Sequence, residues 1–135
     1  MYREVKFNKF GAKRKDYNGR SYHSLFEANY AAHLDFLKRA GEIQDWIPQF
    51  KIDLRVNGKH ITNYYMDFKV IDKHGGVQFH ETKGAETDTW RMKWLILEAT
   101  KDEIEPGCEL VLVKQTNTFK KNTLGKKLVF NRKKL

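Results

Sequence analysis

The chain has 135 residues, the length of one domain with its own core and too short for two ordinary ones. It has no run of 18 apolar residues and no apolar segment behind the charged start, which argues against a membrane span or export signal and leads to the expectation of an intracellular protein; a lone cysteine, Cys108, excludes an internal disulfide or a cysteine-rich zinc site. The net charge of +9 is segregated, with seven Lys/Arg against two acids in residues 1–24, eight Lys/Arg and no acid in 114–135, and a net −4 in the middle; this fits a polyanion gripped by the ends and met by carboxylates in the centre.

Residues 1–16, with the basic triplet Lys13-Arg14-Lys15, read as a flexible arm that orders against phosphates. Aromatic residues interleave both basic flanks (Phe7, Phe10, Tyr17 and Tyr22; Phe119 and Phe130), which favours nucleic acid over the alternative of a merely solubilising tail. Tyr17-Asn18-Gly19-Arg20 is a tight hairpin turn, because Asn-Gly accepts positive φ at both central positions. Ser24-Leu25-Phe26-Glu27 opens a helix with capping-box chemistry: Ser24 accepts from first-turn amides and Glu27 reaches back to the cap residue. That helix runs to about Ala40 and stops at Gly41, with Phe26, Tyr30, Leu34 and Leu37 toward a sheet and Glu27 at the edge of the stripe. A strand follows Pro48, in which Phe50, Ile52, Leu54 and Val56 alternate with Lys51, Asp53 and Arg55, and Asn57-Gly58 turns the chain into the next strand. Gln49, at the strand start, reads as a strand-edge residue.

Thr62–Ile71 and Val77–Lys83 form the arms of a hairpin around His74-Gly75-Gly76. With Asp72 paired to Gly76 across a three-residue loop, opposed residue numbers sum to 148, and Asp67 falls opposite Glu81. Glu81 and Lys83 then share a face with Val77 and Phe79. Two carboxylates about 5 Å apart at an effective dielectric of about 20 repel by about 3 kcal/mol. A hard divalent cation such as Mg²⁺ removes that cost, and beside it Lys83 would orient water or steady charge growing on a phosphate. The alternative is a solvated hairpin face on which Lys83 neutralises Glu81, and spacing alone does not separate the two.

After Gly84, Thr87 or Asp88 caps a second helix. Trp90, Trp94 and Leu97 form its stripe, and Met92, Leu95, Ile96 and Ala99 widen it, so the helix is expected to be largely buried; Arg91 and Lys93 are candidates for phosphate contacts. Glu105-Pro106-Gly107 ends the helix, and Leu110–Val113 is the apolar run of a strand covered on both faces, with Cys108 before it as packing. The basic segment 116–135 follows, with Lys120 and Lys121 as phosphate contacts and Val129-Phe130 as a last strand or partner contact. The five histidines show no regular ligand spacing, which disfavours zinc.

Asp67-Phe68 on one strand and Glu81-Thr82-Lys83-Gly84 on the next resemble the signature of the PD-(D/E)XK nuclease superfamily, and the stretch from about Tyr17 to Val113 is similar to phage junction-resolving endonucleases of the endonuclease I type and related small phage nucleases. Met66 stands where a proline usually precedes the Asp. The resemblance implies an α/β, restriction-endonuclease-like fold over 17–115, with a mixed four-stranded sheet flanked by helices in the order helix, three antiparallel strands, helix, strand. It implies Mg²⁺, with Mn²⁺ as substitute, held by Asp67, Glu81, the Thr82 carbonyl and Glu27, and Lys83 as a catalytic residue with them. It implies hydrolysis of DNA phosphodiester bonds, on branched DNA such as Holliday junctions or replication forks, by a homodimer. Lys13, Arg14, Lys15, Arg20, Lys93, Lys120 and Lys121 are the expected DNA contacts. For Glu27 the residues alone favour a helix cap, whereas the resemblance favours a ligand. Two other readings stay open: a non-catalytic nucleic-acid-binding protein, indifferent to divalent metal, and a nuclease of linear duplex, nicked DNA or RNA.

Overall fold

A computed structural model describes residues 1–8 and 16–116. Along the chain run β1 (Arg3–Asn8), β2 (Asp16–Tyr17), β3 (Arg20–Ser21), α1 (Leu25–Arg39), β4 (Ile43–Val56), β5 (Lys59–Asp72), β6 (Val77–Lys83), α2 (Asp88–Ile104) and β7 (Glu109–Thr116). The fold is α/β. One mixed sheet has the strand order β1-β7-β6-β5-β4; β1, β7 and β6 are parallel, and β6, β5 and β4 antiparallel. β2 and β3 form a separate small hairpin through Asn18 and Gly19, both at positive φ.

The sheet has five strands rather than the expected four, and the additional one takes Arg3–Asn8 out of the expected flexible arm. Glu4-Val5-Lys6-Phe7 alternates charged and apolar side chains, the period of a half-buried strand. β1 lies along β7 with Arg3 opposite Val111 and Phe7 opposite Gln115. Phe7 is buried against Phe26 and Tyr30, and Arg3 Nε donates to Glu109 Oε2 at 2.6 Å. Lys13, Arg14, Lys15, Lys120 and Lys121, together with Phe10, Phe119, Val129 and Phe130, lie outside the described residues.

Two apolar clusters sandwich the sheet. On one face Phe26, Tyr30 and Leu34 of α1 meet Phe68, Val70, Val111 and Val113; on the other Trp90, Trp94 and Leu97 of α2 meet Ile52, Leu54, Tyr64, Met66, Phe79, Leu110 and Leu112. Leu110–Val113 thus buries successive residues on alternate faces, as its unbroken apolar run requires of an inner strand. Helix α2 departs from expectation. Met92 and Leu95 are 63 % and 54 % exposed, so its buried stripe is the narrow one through Trp90, Trp94, Leu97 and Thr100.

β4 and β5 form a long ribbon turned by Asn57 and Gly58, both at positive φ. β4 begins at Ile43, before Pro48, because it is the edge strand and the missing proline N–H leaves no inner ladder bond unmade. Along this ribbon the even-numbered residues change face: Trp46, Phe68 and Val70 pack toward α1, whereas Phe50, Ile52, Leu54, Tyr64 and Met66 pack toward α2. The alternation of side chains between the two faces is therefore inverted at Gln49 and Asp67.

Candidate active site

The ladder between β5 and β6 pairs Phe68 with His80, Lys69 with Phe79, Val70 with Gln78 and Ile71 with Val77, the register expected from the hairpin. Its loop closes through Asp72 N donating to Gly76 O at 2.8 Å, and Asp72 Oδ1 accepts from His74 N and Gly76 N, each at 2.8 Å. Beyond Phe68 and His80 the ladder ends. Thr82 N donates to Asp67 Oδ2 at 2.9 Å and Thr82 Oγ1 donates to the same oxygen at 2.6 Å, while Asp67 N approaches Glu81 Oε1 at 3.5 Å. Carboxylates have taken over from backbone partners where the two strands part.

On the other side of β5 the register sets Gln49 across from Asp67, between the pairs Pro48 with Phe68 and Phe50 with Met66. Gln49 has φ +52, a left-handed conformation unfavourable for a residue with a Cβ. Its Nε2 donates to Glu27 Oε2 at 2.6 Å, so the strand-edge reading of Gln49 gives way to a role in holding Glu27. The other Glu27 oxygen accepts from His23 N at 3.1 Å, and Ser24 Oγ accepts from Glu27 N at 3.0 Å. Glu27 thus closes the capping box through His23 rather than Ser24, and its carboxyl also lies close enough to Asp67 to feel that charge.

These three carboxyls come from α1, β5 and β6 and are withdrawn from water, Glu27 and Glu81 being 3 % and 6 % exposed. Burial, reinforced by the charge of Asp67, pushes Glu27 up to about 7 and Glu81 up to about 8. Asp67 is also pushed up by burial, against the opposing pull of its two bonds from Thr82, the neighbouring Glu27 carboxyl and the ammonium of Lys83. Acids that keep protons near neutrality form a cluster short of positive charge. Lys83 does not supply it directly: its ammonium lies 4.8 Å over the Trp90 ring and, among the described residues, makes no ion pair with the cluster. Trp90 Nε1 in turn donates to the Tyr64 hydroxyl at 2.9 Å, and Tyr64 lines the same cleft as Glu81. Sequence reasoning named Lys83 and Glu81 but missed Tyr64 and Trp90 as the link between them.

The remaining expected residues are placed apart. Arg20 is exposed on β3, its guanidinium carbon 6.0 Å from the Tyr22 ring, and is not among the carboxyls. Arg91 pairs with Glu86, which also holds Lys114 at 2.7 Å. Lys93 lines a cleft beside Glu81. His80 belongs to the core: burial lowers it to about 3, Tyr30 OH donates to Nδ1 at 2.7 Å, and Nε2 donates to Gln78 Oε1 at 2.8 Å, which assigns the neutral tautomer. Cys108 is buried packing, as its position predicted.

Among the described residues no three His, Cys, Asp or Glu side chains close on a common point. The donors that neighbour one another here are all oxygens, and such hard donors fit Mg²⁺ or Mn²⁺ rather than zinc. No helix of the described residues is long and apolar enough to cross a membrane. No curated protein and no solved structure matches the chain. A family model described as "Protein of unknown function (DUF1064)" matches residues 7–127, most of the chain, and the chain belongs to that family.

Proposed function

We propose that this chain is an intracellular, Mg²⁺-dependent DNA endonuclease of the PD-(D/E)XK type with a restriction-endonuclease-like fold, acting as a homodimer on branched DNA of the Holliday-junction kind. The observation that carries the reading is the row of carboxyls from three separate elements, with half-buried Asp67 beside buried Glu27 on one side and buried Glu81 on the other, and Lys83 two residues beyond Glu81 on the same strand. A set of like charges this deep costs stability, and a catalytic cation is the reason the sequence tolerates it. Asp67, Glu81, Glu27 and the Thr82 carbonyl would hold Mg²⁺, or Mn²⁺ in its place. When bound, the ion polarises a phosphoryl oxygen and acidifies water.

The protein's own residues divide the remaining work. Thr82 fixes Asp67 with two bonds, and Gln49 and the His23 amide fix the two oxygens of Glu27. Tyr64 stands beside Glu81 in the same cleft. Lys83, with its ammonium over Trp90 and among the described residues no carboxylate partner to neutralise it, keeps its charge for the attacking water and the phosphate. Basic residues of both flanks, with Arg20 and Lys93, would supply phosphate contacts.

The test is cleavage of a labelled four-way junction beside linear duplex of the same sequence, with Mg²⁺ or chelator, by wild type and Glu81→Gln. Metal-dependent paired nicks in the junction, lost in the variant, are expected. Equal cutting of both DNAs would refute junction selectivity and leave a general nuclease. Tight binding with no cutting under any metal would refute the nuclease itself.

A further inference from the structure

Beside Glu81 a cleft of about 310 Å³ opens between β5 and the first turns of α2. Asn63 and Tyr65 line it from β5, and Thr89, Trp90 and Lys93 from α2, with Glu81 between them. Its two walls differ in kind. Trp90 is fixed, stacked on Trp94 at 5.4 Å, lying under the Lys83 ammonium and bonded to Tyr64. Tyr65 is 55 % exposed and, among the described residues, no ring or cation lies against it.

The lining is a set of complementary groups at one spot. Tyr65 offers a free aromatic face, Asn63 an amide able to donate and accept, Thr89 a hydroxyl and Lys93 an ammonium, and the cleft ends at a carboxyl of the cluster. A planar heterocycle with polar edges, a sugar hydroxyl and an anion are what such groups recognise together, which is the chemistry of a nucleotide. The volume lies at the low end for small-molecule sites, which suits a single nucleoside and excludes a stacked pair of strands. A base can enter only by leaving its stack, and that is cheapest where it is already unpaired.

We infer that this cleft is a subsite for one unpaired nucleotide of DNA, its base on Tyr65 and its phosphate near Lys93, flanking the phosphate at the carboxyl cluster. This rests on the nuclease reading above and deepens it: the protein selects DNA in which a nucleotide beside the cut is unpaired, as in a flap, a gap, a fork or an open junction centre, over continuous duplex.

The experiment compares a labelled duplex carrying a short single-stranded flap with a continuous duplex of the same sequence. Binding is measured by fluorescence anisotropy in chelator, and cleavage in Mg²⁺, for wild type, Tyr65→Ala, Tyr65→Phe and Lys93→Ala. Thermal melts confirm that each variant is folded. Wild type and Tyr65→Phe should bind the flap about tenfold more tightly than duplex, and Tyr65→Ala should lose that ratio, as expected for removal of one stacked base. Lys93→Ala should weaken flap binding and flatten its salt dependence. An unchanged ratio in Tyr65→Ala overturns the subsite, and if that variant still cuts DNA in Mg²⁺ the nuclease reading survives without it. A Tyr65-dependent ratio with no cleavage in Mg²⁺ or Mn²⁺ upholds the subsite and overturns the nuclease reading.

Discussion

Replacing Glu81 by Gln should stabilise the metal-free protein at pH 8 while abolishing its chemistry. The folded state holds this carboxyl up at about 8, against an ordinary 4.5. Because the folded value is the higher one, the native state binds more protons between pH 4.5 and 8, and Glu81 lowers stability progressively as pH rises through that window. At 1.36 kcal/mol per pH unit of displacement, the full cost at pH 8 relative to a permanently neutral side chain is about 4 kcal/mol, and at pH 5 it is under about 1 kcal/mol. Glu81 is coupled to Asp67, and water relaxes around any real charge, so about half of that, about 2 kcal/mol, is the working figure. The amide oxygen of Gln still accepts from Asp67 N, and its volume matches. In a chain of this length that corresponds to a rise in Tm of about 8 °C at pH 8, with little change at pH 5. Thermal melts in chelator across pH 5–8 measure it directly. A variant no more stable than wild type at pH 8, or a difference that ignores pH, would mean that Glu81 is satisfied by its protein partners and would remove the electrostatic case for a cation. Mg²⁺ should raise the Tm of wild type at pH 8 and leave that of the variant in place.

Glu27→Gln should leave stability undiminished, because the amide oxygen can still accept from His23 N, while metal-dependent cleavage is lost; a variant that cuts normally would make Glu27 a cap alone. Gln49→Ala removes the bond that orients Glu27 and should raise the Mg²⁺ concentration for half-maximal activity about 10–100-fold, read from a metal titration. Lys83→Ala should abolish cleavage and leave junction affinity unchanged in an anisotropy titration. Phe7→Ala should cost about 3–5 kcal/mol in urea unfolding, as for any large core ring, whereas a loss under about 1 kcal/mol would detach β1 from the sheet.

Where pattern and turn chemistry agree locally, the sequence is legible. The two Asn-Gly turns, the Ser24 cap and the register fixed by Asp72 and Gly76 are all decided within a few residues, and each is found in the structure. β1 was not legible in the same way. Half of its six residues are charged, Arg3, Glu4 and Lys6, and its partner β7 lies more than a hundred positions away, so nothing nearby distinguishes an edge strand from a basic arm. The width of the α2 stripe failed for a related reason: apolar residues at helical spacing show which face is buried, but how far the burial extends depends on what stands opposite, and nothing covers Met92 and Leu95 among the described residues.

The same division runs through the site. Asp67, Glu81 and Lys83 follow from period-two alternation plus one register, and Glu27 from its cap position, so their convergence can be anticipated from spacing and resemblance. Gln49 cannot. Its role depends on the ribbon changing from one helix to the other at that point, and its positive φ is carried by a residue with no sequence signature for it. The ladder on one side of Asp67 skips Gln49, and on the other side it stops after Phe68 and His80. Interrupted ladders leave polar backbone groups to be satisfied, and here the Asp67 carboxylate does so for the Thr82 amide. The interruption that disfavours the strand pairing also lets the Asp67 carboxylate lie between those of Glu27 and Glu81. Asp67 is therefore bound into the fold by Thr82, whereas Glu81 is met, among the described residues, only by a long contact from Asp67 N, which is why neutralising Glu81 should strengthen the metal-free protein even as it removes the charge that the proposed chemistry needs.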